Sequence, residues 1–194
     1  GAGADVEGVS LLTDRGEHTE AESTLQKTLP VWKSSEYRYF QGACHWMLGR
    51  VSLRANRLDE ALSRFAEAKK MLAEVGAEAE VQDVDARVAE CRMLKGDTDG
   101  ALALADEVLG RTESADAIER LKPQLNRVRG YAMLLQSDPF GAREAFEASL
   151  AIARERKERF EIALTLNALA ELDRLEGVAP PEEMVEESRS ILAA

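Results

Sequence analysis

Four alanines, Ala21, Ala61, Ala101 and Ala142, recur at a nearly constant interval of roughly 40 residues, each a few positions after a turn-forming cluster. The clusters read Arg15-Gly16-Glu17-His18, Ala55-Asn56-Arg57-Leu58, Lys95-Gly96-Asp97-Thr98 and Gln136-Ser137-Asp138-Pro139, and a weaker fifth falls at Gly177-Val178-Ala179-Pro180-Pro181. Chain reversal and a small residue returning together mark a repeat in which a pair of helices is the unit. Such a unit cannot bury its apolar face alone, so the pattern commits the chain to stacking.

The helical reading follows from spacing. Leu58, Ala61, Leu62, Phe65, Ala68, Leu72 and Val75 form one stripe at intervals of three and four, closed by Gly76 as a left-handed stop. Ala, Leu, Glu and Arg dominate and only 5 Pro and 13 Gly interrupt them, which favours an all-α protein. About ten helices are expected. They cover residues 4–14, 19–34, 36–54, 58–75 and 77–95, then a helix capped by Asp97 or Thr98 that runs to Leu109. Residues 110–122 read as a loop with a helical turn or two, because Pro123 suits the first turn of a new helix and disfavours helical geometry in Lys122. That new helix spans 123–136, and the next opens with Asp138-Pro139 and reaches Arg156. Ile162, Leu166, Leu169 and Leu172 mark a ninth, and Pro180-Pro181-Glu182-Glu183 opens a tenth with acids at its positive end. The whole, 1–194, is read as one repeat domain with units near 4–34, 36–76, 77–109, 115–157 and 158–193.

Charge and composition exclude several functions. With 36 acidic and 25 basic residues the net charge is −11, so a duplex-binding surface is not expected and no direct nucleic-acid partner follows. No apolar run approaches the roughly 18 residues a membrane helix needs, and no signal-peptide pattern opens the chain. The expected location is cytoplasmic. The chain starts Gly1-Ala2-Gly3-Ala4 without methionine, which reads as a piece of a longer protein. Cys44 and Cys91 stand far apart in the sequence with no CxxC pair, the pattern of buried free thiols in a reducing compartment. The only histidines are His18 and His45, and neither has a glutamate three positions before it. No di-iron motif, zinc site, phosphate loop or nucleophile motif is present, so no cofactor and no enzyme activity are expected. Glu74, Glu78, Glu80, Asp83 and Asp85 read as a solvated helix face.

Leu48-Gly49 followed by Arg57-Leu58-Asp59-Glu60-Ala61-Leu62-Ser63-Arg64-Phe65-Ala66-Glu67-Ala68 closely resembles the tetratricopeptide pattern. That pattern has leucine-glycine in the first helix, then alanine, an aromatic and alanine in the second. The other copies are degenerate: Ala21 with Leu25, Ala101 with Ala105, Gly130 with Ala142 and Phe146, and Leu169-Ala170. The resemblance implies an α-solenoid of about five helical hairpins, with a period of about 40 in place of the family's usual value of about 34. Gly49, Ala89, Gly130 and Ala170 would lie where the helices of a hairpin cross, letting axes approach to the close end of the roughly 8–10 Å range.

The family resemblance also implies a binding row. First helices line a concave surface, with contacts three positions before and one after the small residue. On this chain those are Trp46 and Arg50, Ala86 and Glu90, Arg127 and Tyr131, Asn167 and Glu171, with Arg87 adjacent. Aromatic platforms and arginine forks suit a protein or peptide partner or a small-molecule effector. The alternative is that Trp46 and Tyr131 pack between repeats and the arginines pair with neighbouring acids. Residues 36–194 further resemble the C-terminal repeats of bacterial signalling proteins. This likeness rests on Leu72-Ala73-Glu74-Val75-Gly76, Arg127-Val128-Arg129-Gly130-Tyr131-Ala132, Ala163-Leu164-Thr165-Leu166-Asn167-Ala168-Leu169-Ala170 and Glu186-Glu187-Ser188-Arg189. In those proteins a nucleotide cyclase or a DNA-binding domain is joined to an AAA/STAND ATPase and then to the repeats. That implies a regulatory scaffold or sensor arm, with an effector receptor as the second reading and a helical enzyme fragment as the third.

Overall fold

A turn of three residues after a helix of seventeen is the module from which most of this chain is built. The computed structural model describes residues 22–27, 37–111 and 115–193. The expectations for a helix over 4–14, for the turn at His18 and for most of 19–34 lie outside those residues. After a helical segment at 22–27 come α1 (Arg38–Arg54), α2 (Leu58–Glu74), α3 (Glu78–Leu94), α4 (Thr98–Leu109), α5 (Ala115–Leu135), α6 (Pro139–Glu155), α7 (Arg159–Leu175) and α8 (Glu182–Leu192). There is no strand among the described residues. The chain divides into two compact units, Gly1–Lys95 and Gly96–Ala194.

The left-handed residues set the rhythm. Asn56, Gly76 and Gly96 have φ of 57°, 68° and 84°, and Ser137, Lys157 and Gly177 have 65°, 59° and 77°. Within each group they are evenly spaced, at half the interval of the alanines. At five of these six turns the backbone closes the helix end in the same way. Ala77 and Gly76 N–H donate to the Leu72 and Ala73 carbonyls at 3.0 and 3.1 Å, and Glu158 and Lys157 donate to Ala153 and Arg154 at 2.9 and 3.1 Å. Asn56, Ser137 and Gly177 with their successors repeat the pair. This is the double bond of a Schellman ending, which requires a left-handed residue just past the helix. The alanine period is thus two modules, and two of its helices start with Asp97 and Asp138 accepting from Gly100 and Gly141 N–H at 3.0 and 2.9 Å.

One expectation is corrected. Residues 115–122 belong to a single helix, α5, with Pro123 inside it. Proline removes one helical hydrogen bond and costs about 3 kcal/mol in a helix interior. Ala117, Ile118 and Leu121 on one side and Leu125, Val128 and Ala132 on the other are all buried, continuing one stripe across the proline. Burying Ile118 and Leu121 contributes about 1.5–3 kcal/mol each, enough to hold the turn that Pro123 disfavours. With α4 shortened to 12 residues and α5 lengthened to 21, this is also where the module departs from its usual length.

In the first unit α1 packs on α2, α2 on α3, and α1 also reaches α3. Its core joins Leu25, Cys44, Met47, Leu48 and Val51 in one cluster and Leu53, Ala61, Phe65, Ala68, Leu72, Val81, Val84 and Cys91 in another. In the second unit α4 packs on α5, and α5 to α8 follow in series, with α5 also reaching α7. Phe146, Leu169 and Leu172 centre one cluster there, and Ala153, Ile162 and Leu166 form another.

Gly49 and Gly130 are sockets for aromatic rings. A Cβ on Gly49 would stand 2.5 Å from Phe65 Cε1, and one on Gly130 would stand 2.3 Å from Phe146 Cε1. Each ring is fully buried and comes from the second helix of the same hairpin. The space left by the missing side chain is therefore filled by the aromatic of the motif.

Candidate functional site

The first helices of each unit carry the residues that the repeat pattern selects, and each unit holds its own group. In the first unit, Trp46 on α1 is half-buried against both apolar clusters. Its indole N–H donates to Asp83 Oδ2 on α3 at 2.8 Å. The Arg50 guanidinium, one helical turn along, lies 5.5 Å from the centre of the Trp46 ring, in range for a cation–π contact. On α3, Arg87 stands between Asp83 at 3.7 Å and Glu90 at 3.5 Å. Trp46, Arg50, Arg87 and Glu90 are thus drawn into one linked cluster, with Asp83 as its hub. On the same pair of helices, Tyr39 O–H donates to Glu80 at 2.8 Å. That bond, then burial, raises the Tyr39 pKa: both favour the neutral phenol. Ala86 is buried.

In the second unit the row splits into three contacts. Arg127 on α5 is only 13% exposed and pairs with Glu161 on α7 at 2.5 Å, with the Thr165 hydroxyl 3.5 Å away. The Tyr131 ring packs edge-on against Phe146 with centroids 5.1 Å apart, and its hydroxyl donates to Glu171 at 3.4 Å. Burial, with the Glu171 charge next, pushes the Tyr131 phenol up to about 12. Asn167 turns toward α8 and accepts from the Ser188 hydroxyl at 2.7 Å. Tyr131 and Glu171 therefore belong together, Arg127 is engaged with an acid of the next first helix, and Asn167 is bonded within the last hairpin.

Trp46 and Tyr131 pack against the cores of their units with a polar end bonded across helices, and Arg87 and Arg127 pair with neighbouring acids. Sequence reasoning did not single out Glu161 and read Glu80, Asp83 and Asp85 as part of a solvated helix face. Instead Glu80 and Asp83 accept bonds from α1, and Asp85 is 2% exposed and paired with Lys69 of α2 at 2.6 Å, because α3 is packed on the first hairpin. A signal was available: Tyr39 and Glu80 are 41 apart and Tyr131 and Glu171 are 40 apart, so an aromatic paired with an acid one period later marks neighbouring first helices. Cys44 and Cys91 are buried free thiols, and burial pushes the Cys91 thiol up to about 12. Among the described residues no three His, Cys, Asp or Glu side chains gather as a metal site, and no helix is long and apolar enough to cross a membrane.

Residues 9–74 match the family model described as Tetratricopeptide repeat. No curated protein matches the chain. Among solved structures the chain is similar to BtubC (BKLC) from P. vanneervenii, with 21% identity and a TM-score of 0.71 over 99% of this chain and 81% of that one. It is also similar to the TPR-like repeats of a putative kinesin light chain from Podosopora anserina, at 18% identity and TM-score 0.56, covering 98% and 94%. The apo form of RapI aligns at 14% identity and TM-score 0.60, over 99% of this chain and 66% of that one. At these identities the likeness is one of fold. The protein is all-α and adopts a tetratricopeptide-like helical-repeat fold, an α-solenoid of helical hairpins.

Proposed function

We propose that this protein is a non-catalytic interaction scaffold whose first-helix faces hold a protein or peptide partner, and that it serves as a regulatory or sensor arm of a larger bacterial signalling protein. The observation that supports this reading best is the Trp46 cluster. An indole platform, a guanidinium above its ring and a second guanidinium between two acids stand on adjacent first helices. Such a surface offers stacking, bidentate donors and acceptors within a few ångströms of one another, the chemistry that recurs at interface hot spots. In the second unit Tyr131 with Glu171 and Arg127 with Glu161 provide a more polar counterpart. A repeat fold suits this role because its stacked hairpins present long faces without needing a closed cavity.

The test is selection of peptides from a random library against the whole chain, with affinities measured by calorimetry for Arg50→Ala, Glu90→Ala and Arg127→Ala. The reading expects selected peptides to lose at least tenfold in affinity in one or more of these variants while melting temperature holds. Peptides whose binding is indifferent to all three would refute these faces as the binding surface. A metabolite that binds the chain in a parallel calorimetric screen and is lost with Arg50→Ala would move the reading to an effector receptor.

A further inference from the structure

One edge of the second unit is apolar where a helical repeat needs no apolar side chain. Leu135 is the last residue of α5 and Phe140 the second of α6, on either side of the turn at 136–138. Leu175 is the last residue of α7, and Val178 follows left-handed Gly177 in the connection to α8. Successive helices from α5 to α8 are joined by short connections and pack in series, so they run antiparallel and both turns lie at the same end of the unit. Arg143 of α6 ties the two turns together by donating to Asp173 and Glu176 of α7, each at 2.6 Å. The four apolar side chains are between 56% and 73% exposed, and apart from Tyr37 they are the most exposed large apolar side chains among the described residues.

The same turns are built elsewhere in this chain with charges at these places. At the position of Phe140, second in its helix, α2 carries Asp59 and α4 carries Asp99. Val178, next after a left-handed residue, stands where Arg57, Asp97 and Asp138 stand in other turns. First helices end on Arg54 in α1 and on Leu94 in α3. Beneath the edge the three helices are held by buried polar contacts. Ser149 of α6, fully buried, donates to the Pro123 carbonyl of α5 at 2.7 Å and lies 2.9 Å from the Thr165 hydroxyl of α7. The edge is thus presented on a fixed base, which lowers the ordering cost of covering it. Its exposed rim is mostly acidic: Asp138 and Glu144 stand by the first turn and Glu182 and Glu183 by the second, with Arg174 opposing them. Arg143 is already engaged by two carboxylates.

We propose that this turn edge is a docking surface for a basic, apolar segment of a protein partner. Bulky aliphatic or aromatic side chains of that segment cover Leu135, Phe140, Leu175 and Val178, and flanking lysine or arginine side chains meet the acids of the rim. Charge selects this occupant over the alternatives. A second copy of the chain would bring the same acids against one another, and a bilayer bearing anionic lipid would be repelled by them as well. A basic segment gains from both parts of the surface, apolar contact at the centre and opposite charge at the rim, which is the arrangement of a protein–protein interface. The edge is made of helix ends and turns, so the proposal is independent of the first-helix faces around Arg50 and Arg127.

The test pans a random peptide library on the full chain, with the Phe140→Asp chain used for subtraction. Asp59 and Asp99 show that the repeat accepts aspartate at this position. The substitution also adds negative charge, so a loss of binding reports the missing ring and not a weaker attraction for a basic peptide. Enriched peptides are expected to combine leucine, isoleucine or phenylalanine with lysine or arginine. Anisotropy of a labelled one is expected to show saturable binding, weakened at least tenfold by Phe140→Asp and by Leu175→Ser and severalfold by Glu182→Gln with Glu183→Gln, and unaltered by Arg50→Ala and Arg127→Ala. Circular dichroism checks that the variants keep the wild-type helix content and melting temperature. No enrichment of such peptides, binding indifferent to both edge substitutions, or binding abolished by Arg50→Ala or Arg127→Ala would overturn the proposal. Sedimentation showing wild-type dimers that Phe140→Asp dissociates would overturn it by assigning the edge to a second copy. Flotation of the chain with phosphatidylserine vesicles, lost in Phe140→Asp, would overturn it by assigning the edge to a membrane.

Discussion

Adding a single methyl group at Gly49 is a sharp probe of how the hairpins are locked. The new Cβ would lie 2.5, 2.6 and 3.0 Å from Cε1, Cδ1 and Cζ of Phe65, whereas carbon atoms rest at about 3.5–4.0 Å. The ring must retreat by roughly an ångström, and it is fully buried, so it has nowhere to go without moving α2. Overpacking of this kind costs about 1–3 kcal/mol. Against it stands the gain of alanine over glycine in a helix interior, about 0.8–1.0 kcal/mol. The net effect of Gly49→Ala alone is therefore a loss of about 0–2 kcal/mol, too broad a range to decide anything. The discriminating measurement is a double-mutant cycle with Phe65→Leu. With the ring gone the clash disappears while the helix-propensity gain remains, so Gly49→Ala should become stabilising by about 1 kcal/mol. The coupling should be about 1–3 kcal/mol, or about 2–4 °C in melting temperature per kcal/mol for a chain of this size. Urea unfolding and calorimetry would read it. Gly130→Ala with Phe146→Leu supplies a replicate, since its Cβ would stand 2.3, 2.5 and 2.9 Å from the ring atoms. Equal effects of the alanine in both backgrounds, within about 0.5 kcal/mol, would refute the socket.

The remaining expectations concern turns, thiols and a phenol. Lys157 holds φ of 59° without being glycine, so Lys157→Gly should stabilise by about 0.5–1 kcal/mol, while Gly76→Ala, at φ of 68°, should destabilise by about 1–2 kcal/mol; thermal melts decide both. Cys44 and Cys91 are fully buried, and burial pushes the Cys91 thiol up to about 12. A thiol-specific reagent at neutral pH should therefore label neither until denaturant unfolds the chain; rapid labelling of the native protein would contradict that packing. Tyr131, raised to about 12, keeps its proton in the fold while the unfolded chain loses it near 10. Its contribution to stability is present below about pH 10 and is lost as pH rises toward 12. Tyr131→Phe should flatten that alkaline arm in urea titrations, and an unchanged pH profile would refute the assignment.

Much of the fold was legible because it rests on local rules. Asp97 and Asp138 announced helix starts, Gly76 and Gly96 announced helix ends, and the stripe from Leu58 to Leu72 announced which side faces inward. Pro123 misled because propensity is a local quantity and burial is not: the stripe that overrides it is completed by neighbouring helices. The candidate site was readable in part. Trp46 and Arg50 share a helix and their proximity follows from a spacing of four, but Asp83 joins them only through the stacking of α3 on the first hairpin. The Ser149 contacts with Pro123 and Thr165 stayed hidden because three separate helices supply them, and a serine in an apolar stripe looks no different from one in a loop until its partners are in place.

The regular turns also bear on how the chain reaches its native state. Arg127 with Glu161, Tyr131 with Glu171 and Ser149 with Pro123 join positions no more than one repeat apart, so ordered structure can grow outward from any hairpin without first closing a long loop. Topologies of this kind have low contact order and short search times. Where seventeen-residue helices give way to one of 12 and one of 21, the growing order meets its least regular step, and time-resolved hydrogen exchange should find α4 and the start of α5 acquiring protection last.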